Sequence, residues 1–144
     1  VSLNRNWIKW ITASIFKYFD DRKETLLLHV DEIERKTDKN YVQLQVNGPV
    51  FTESTQNEWV AVVDINCTVS TIKDSMDLYN HEKASGLIAS LMTANICVYK
   101  YGDGGDLLGT LIRQTGVETL KFGQLDPEIQ VLESSIQATY KIDL

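Results

Sequence analysis

The chain of 144 residues holds only two cysteines, two prolines and two histidines, and it is short of positive charge, with 14 basic against 20 acidic side chains. Each shortage excludes something. Two cysteines, Cys67 and Cys97, cannot build a disulfide framework or a metal cluster. Both lie in apolar, strand-like runs, which predicts two buried free thiols in a reducing compartment. Two prolines and no long polar tract leave no composition for an internal linker, and no repeat recurs at a solenoid period. Residues 1–144 therefore read as one domain. A formal charge of −6 and a pI near 4.8 exclude a nucleic-acid binder whose affinity rests on neutralising phosphate. The basic residues are scattered, the densest groups being Arg22-Lys23 and Arg35-Lys36. An acidic protein can still sit beside DNA that slides past it. No segment reaches the roughly 18–20 apolar residues that span a membrane. Lysines interrupt and follow the N-terminal run WIKWITASIF, so no secretion signal is apparent, and Val1 is read as close to the true start.

Catalytic and metal-binding patterns are equally scarce. His29 and His81 have no second histidine or cysteine at ligand spacing and read as ordinary packed or half-exposed side chains. There is no G-x-S-x-G elbow, C-x-x-C or H-E-x-x-H, and nothing points to a serine–histidine–acid triad. The acidic groups Asp31, Glu32, Glu34 and Asp103, Asp106 read as solvated surface. The stretch YGDGGDLLG, residues 101–109, invites a phosphate or calcium reading. A phosphate loop needs a lysine and a hydroxyl after its glycines, but Leu107-Leu108-Gly109-Thr110 follow, and two carboxylates would repel phosphate. Counting a calcium loop from Asp103 puts Gly105 third and Gln114 twelfth, where acidic or amide ligands are required. A loose surface calcium site on Asp103 and Asp106 stays open beside the plainer reading, a pliant acidic connector in which glycine permits positive φ.

What is present is a 43% hydrophobic, 24% charged composition, enough for one ordinary core. Residues 4–19 predict a helix with a wide apolar arc: Trp7, Trp10, Ile11, Ser14 and Tyr18 on one face, Ile8, Ile11, Ile15 and Phe19 on the adjoining one. So wide an arc implies deep burial or contact with another subunit. Strands are expected at 25–35, at 41–47 and at 59–71, the last two alternating cleanly and joined by a polar loop at 50–58 into a long antiparallel hairpin. KTDKN turns the chain after the first strand, and Asn47-Gly48-Pro49 should break the second. In the hairpin Val42, Leu44, Val46, Ala61, Val63, Ile65, Cys67 and Val69 face one way; Tyr41, Gln43, Gln45, Asp64, Asn66, Thr68 and Ser70 face the other. Asp74 or Ser75 can cap a second helix at 76–93 with Ala84, Leu87, Ile88 and Leu91 as its buried stripe. Further strands are expected at 96–101, 116–122 and 134–144. The order gives an α+β domain: a mainly antiparallel sheet with a long β-hairpin, and an N-terminal and a second helix packed on one face.

Features along most of the chain also carry a family likeness: the amphipathic first helix, the hairpin ending in WVAVVDINCTVST, the helix led by DLYNHEKASGLIASLM, the strand ICVYKYGDGGDLLGTLI, and above all LKFGQLDPEIQVLESSIQATYKIDL. In the last, a turn beginning Phe122-Gly123-Gln124 precedes an alternating strand with QATY. With these the chain resembles the tail terminator (tail completion) proteins of long-tailed bacteriophages. The resemblance implies a structural virion protein, not an enzyme, with no cofactor or metal. Assembled in the bacterial host cytoplasm, it would form a homo-oligomeric ring, usually a hexamer, at the head-proximal end of the tail. It would stop polymerisation of the tail tube protein and dock the head connector or neck protein. In contractile tails it would also meet the tail sheath protein. DNA would pass its pore without specific binding, which suits a net-acidic chain. Trp7, Trp10, Ile11 and Tyr18 are then candidates for the subunit interface, the alternative being that they cover their own sheet. Thr52, Glu53, Gln56 and Asn57 in the 48–58 loop, and Asp103 and Asp106 in the 102–109 loop, are candidate contacts with tube, connector or sheath. Another neck component (adaptor, stopper or tube subunit) and an unrelated small binding domain or enzyme remain as alternatives.

Overall fold

A computed structural model of the chain describes residues 3–24, 26–30, 40–56, 58–72, 78–100, 105–114, 116–126 and 131–144. The elements run α1 (Trp7–Arg22), β1 (Leu27–Val30), β2 (Tyr41–Thr55), β3 (Glu58–Ile72), α2 (Leu78–Thr93), β4 (Ile96–Tyr99), β5 (Leu107–Arg113), β6 (Glu118–Asp126) and β7 (Val131–Asp143). The seven strands form one sheet in the order β1-β2-β3-β7-β5-β4, with β6 also paired to β7. This is the expected α+β arrangement. The C-terminal strand β7 lies at its centre and pairs with β3 along its whole length, from Val60↔Asp143 to Ile72↔Val131.

Alternation sets which side carries the core. Ala61, Val63, Ile65, Cys67 and Val69 of β3 and Ile136, Ala138, Tyr140 and Ile142 of β7 are buried beneath the helices, with Val42 and Leu44 of β2 beside them. Ile11, Ile15 and Phe19 of α1 and Ile88 and Met92 of α2 close the layer. The α2 stripe is rotated slightly from the expected one: His81, Ile88 and Met92 are buried, whereas Ala84 and Leu91 are only partly so. The start of this helix, with Asp74 and Ser75, lies outside the described residues.

Several expectations are corrected. Strand β2 does not break at Asn47-Gly48-Pro49. It bulges, so that three steps from Asn47 to Val50 match two from Asp64 to Val62. Gly48 absorbs the extra residue at φ +106°, where a Cβ would lie 3.0 Å from the Val62 carbonyl oxygen; only glycine fits such a turn of backbone. The 50–58 loop is mostly strand, and the hairpin closes at its tip with Thr55 opposite Glu58. β1 pairs with β2 in parallel, Leu27↔Tyr41 to Val30↔Leu44, and parallel neighbours need a crossover, not a tight turn. The KTDKN segment, apart from Asn40, and the rest of the expected 25–35 strand lie outside the described residues.

A seventh strand, β5, occupies residues read as the end of a glycine-rich connector. Gly109 is there for close packing: a Cβ on it would sit 2.9 Å from Ile142 Cδ1. β5 and β6 follow one another along the same edge of β7. Five steps from Arg113 to Glu118 match three from Tyr140 to Gln137. Phe122-Gly123-Gln124 is not a turn but part of β6, which shifts register between Lys121 and Gly123 and again between Gln124 and Asp126. Cys97 is exposed, because it alternates onto the helix-free side opposite Thr110. Tyr41 and Ser70, assigned to the wet side, are buried despite lying on it.

Candidate functional site

The histidine at position 81 is the only buried imidazole among the described residues, and two hydroxyls hold it. Thr71 Oγ1 lies 2.6 Å from Nδ1 and Ser134 Oγ lies 2.8 Å from Nε2. A neutral ring has one donor and one acceptor nitrogen, so one hydroxyl donates to it and the other accepts. The serine–histidine pair has the spacing of a nucleophile and its base, but all three side chains are buried. What it does is tie α2 to β3 and β7. The His29 side chain lies outside the described residues. Among those described, no three His, Cys, Asp or Glu side chains gather to hold a metal. Burial pushes the Cys67 thiol up, away from the reactive thiolate.

Interaction surfaces offer more than the interior does. Helix α1 is fastened by polar contacts as well as by its apolar face. Ser14 Oγ accepts from the Tyr99 N–H at 3.0 Å and donates to the Tyr99 carbonyl at 3.4 Å, so it satisfies the backbone of the edge strand β4. The Tyr18 hydroxyl donates to the Leu91 carbonyl at 2.6 Å. Its ring carries the Arg22 guanidinium 4.4 Å above it. Burial raises the Tyr18 phenol above its ordinary range, and Arg22 opposes that. The end of α2 is closed by the same kind of contact. A helix leaves its last carbonyls unpaired, and here no glycine or basic residue of the last turn serves them. Instead Tyr18 takes Leu91, Tyr140 donates to Met92 and lies 3.3 Å from the Ala94 oxygen, and Arg113 Nε donates to Thr93 at 3.3 Å.

These contacts sort the expected interface residues. Ile11 is fully buried against its own sheet, and Tyr18 is engaged within the chain. Trp7 and Trp10 meet edge to face, with ring centroids 5.4 Å apart, and pack partly on the core. The apolar side chains that α1 shows to solvent are Ile8, 54% exposed, and Phe16, 40% exposed. Sequence reasoning placed Ile8 on the wide apolar arc, open to deep burial or to subunit contact, and passed over Phe16. The four-residue spacing Ile8-Thr12-Phe16, with Lys9 beside it, was the signal available.

The side of the sheet without helices presents a second surface. Its cross-strand row Val50↔Val62↔Lys141↔Ile112 leaves Val50 62% and Ile112 52% exposed. The next rows form a polar cleft of about 370 Å³ lined by Asn47, Asp64, Asn66, Glu118, Gln137 and Thr139 among others. Thr139 Oγ1 donates to Asp64 Oδ1 at 2.6 Å.

The register also brings the described ends of the two expected contact loops to one end of the sheet. The hairpin tip extends past Val60↔Asp143, and Asp106 immediately precedes β5 at the same end. Thr52, Glu53, Gln56 and Asp106 are exposed there, Thr52 and Glu53 as strand and not loop. Asn57 and Asp103 lie outside the described residues. Nothing is described of the Phe122 and Gln124 side chains, although their backbones, with that of Gly123, belong to β6.

No protein-family model and no curated protein matches the chain. Its fold does have solved counterparts. One structure, of a protein that carries no functional name, superposes with a TM-score of 0.56 at 11% identity, over 94% of each chain. At that identity the likeness is one of fold, and fold alone brings no activity with it.

Proposed function

We propose that the protein is a structural subunit that assembles into a ring, and specifically a tail terminator at the head-proximal end of a long-tailed phage tail. The observation that carries the assembly reading is the outer stripe of α1. A helix fixed at Ser14 and Tyr18 holds Ile8 and Phe16 in water, and apolar side chains held rigidly on a surface suit burial by a partner. The sequence likeness to tail terminators supports the more specific part. In that role the hairpin tip and the Asp106 end of the sheet meet the tube, the connector or, in contractile tails, the last sheath ring. The net negative charge keeps passing DNA from adhering. The test is negative-stain imaging of phage particles made without the protein. Overlong tails, or tails that fail to join heads, are expected. Finished tails of normal length joined to heads refute the role. Tails of normal length that fail only at joining instead identify an adaptor or stopper.

A further inference from the structure

We propose that copies of this chain associate head to tail, the outer face of α1 of one copy lying across the helix-free side of the sheet of the next. This deepens the ring reading above and rests on its homo-oligomeric part alone. Charge complementarity carries it. Residues 1–19 contain Arg5, Lys9 and Lys17 and no acidic residue, so all 20 acidic side chains of the chain lie beyond them. Lys17 is paired with Asp21 at 3.1 Å. Arg5 and Lys9 are exposed beside Ile8. The helix-free side carries the opposite pattern. Among the described residues Asp64, Glu118 and Asp143 are exposed there, around the row that runs from Val50 through Val62 and the cation Lys141 to Ile112.

The dimensions agree as well. Ile8 and Phe16 are eight residues apart on α1, ~12 Å at the rise of an α-helix. Val50 and Ile112 are three strand steps apart, ~14 Å at the spacing of a sheet. A helix laid across the strands therefore sets one apolar side chain near each end of that row. The neighbouring row on the same side is two residues away, ~7 Å along each strand, and it holds Asp64. Glu118 lies one row further, opposite Gln137. An extended lysine spans the first of these gaps, so Lys9 reaches Asp64 at the edge of the cleft while Ile8 and Phe16 cover the two apolar ends of the row. Because the two surfaces lie on opposite sides of one sheet, the contact is heterologous. It cannot close as a two-fold dimer, and it closes as a ring when its rotation permits.

The experiment uses the full chain with Ile8 replaced by photoreactive benzoylphenylalanine, mixed as labelled and unlabelled copies and irradiated after light scattering has measured the assembled mass. Crosslinks between copies to peptides holding Val50, Val62 or Ile112 are expected. Crosslinks from α1 to α1, crosslinks confined to other surfaces, or none between copies overturn the docking. In a second arm Lys9→Glu and Asp64→Lys each weaken assembly at least tenfold, with urea midpoints little changed, and the double variant regains most of the loss. An assembly indifferent to both reversals overturns this docking but leaves the ring reading in place. A chain that stays monomeric at every soluble concentration also overturns it, and the tail particles then decide the ring reading separately. A crosslink found only to a tube or connector protein in assembled tails assigns the α1 face to that partner and refutes self-docking.

Discussion

Replacing Tyr140 by phenylalanine should cost the fold more than any other removal of a single oxygen atom from α2's contacts. The ring of Tyr140 is fully buried, and phenylalanine keeps it in place. Only the hydroxyl goes, and with it the donor to Met92 and the neighbour of the Ala94 oxygen. A typical hydrogen bond contributes about 0.5–1.5 kcal/mol net, and a buried acceptor left without a partner costs about 1–3 kcal/mol. The Met92 side chain is fully buried, so the loss should fall near ~2–3 kcal/mol. Tyr18→Phe removes the same kind of bond from Leu91, but Tyr18 is only partly buried and water can take the vacated place, so its loss should stay below ~1.5 kcal/mol. The assay is urea unfolding at neutral pH. With a slope of about 1–3 kcal/mol per molar, Tyr140→Phe should lower the midpoint by about 1 M and leave the slope unchanged. A change under ~0.5 kcal/mol, or a larger loss in Tyr18→Phe than in Tyr140→Phe, would refute the account of how α2 ends.

Other perturbations test separate parts of the structure. Burial raises both the Tyr140 and the Tyr18 phenol above the ordinary value of 10.0. The unfolded chain therefore releases these protons first, and stability should hold at neutral pH and fall as pH rises past about 10. The slope of that fall should be shallower in Tyr140→Phe, as read by urea midpoints across the alkaline range. His81→Ala leaves the hydroxyls of Thr71 and Ser134 without the ring that joins them, and should cost ~2–4 kcal/mol. Adding Thr71→Val and Ser134→Ala should recover part of that cost, whereas strict additivity in denaturation would show that the ring does not couple them. Gly48→Ala forces a Cβ onto backbone at positive φ with atoms at 3.0 and 3.1 Å, so a loss of ~1–3 kcal/mol is expected in the same assay. An unchanged midpoint would show that the bulge relaxes.

The parts of the fold that alternation determines were legible in the sequence. The core side of β3 and the burial of the C-terminal strand follow directly from period-two patterning. What escaped was coded in exceptions. Gly109 and Gly48 read as loop glycines, but one makes room for Ile142 and the other holds a bulge, and neither partner is visible without the tertiary structure. The VFTEST segment read as a loop because β2 is exposed on both sides from Thr52 to Thr55, which erases the alternation that marks a strand. The interface residues were harder still. Tryptophan and tyrosine drew attention in α1, yet Tyr18 serves the end of α2, and the exposed pair is Ile8 and Phe16. Which part of so wide an apolar arc faces its own sheet depends on where α2 and β4 lie, and the sequence of α1 does not contain that information.

The anchoring of α1 at Ser14 and Tyr18 has a consequence for any association through that helix. Immobilising a flexible side chain on binding costs about 0.5–1.5 kcal/mol, and ordering a loose segment costs more. Here folding has already imposed that ordering, since two hydroxyls lock the helix to an edge strand and to a helix end before a partner arrives. A preorganised ridge of this kind can bind through a small apolar patch where an unanchored arm would need a much larger one.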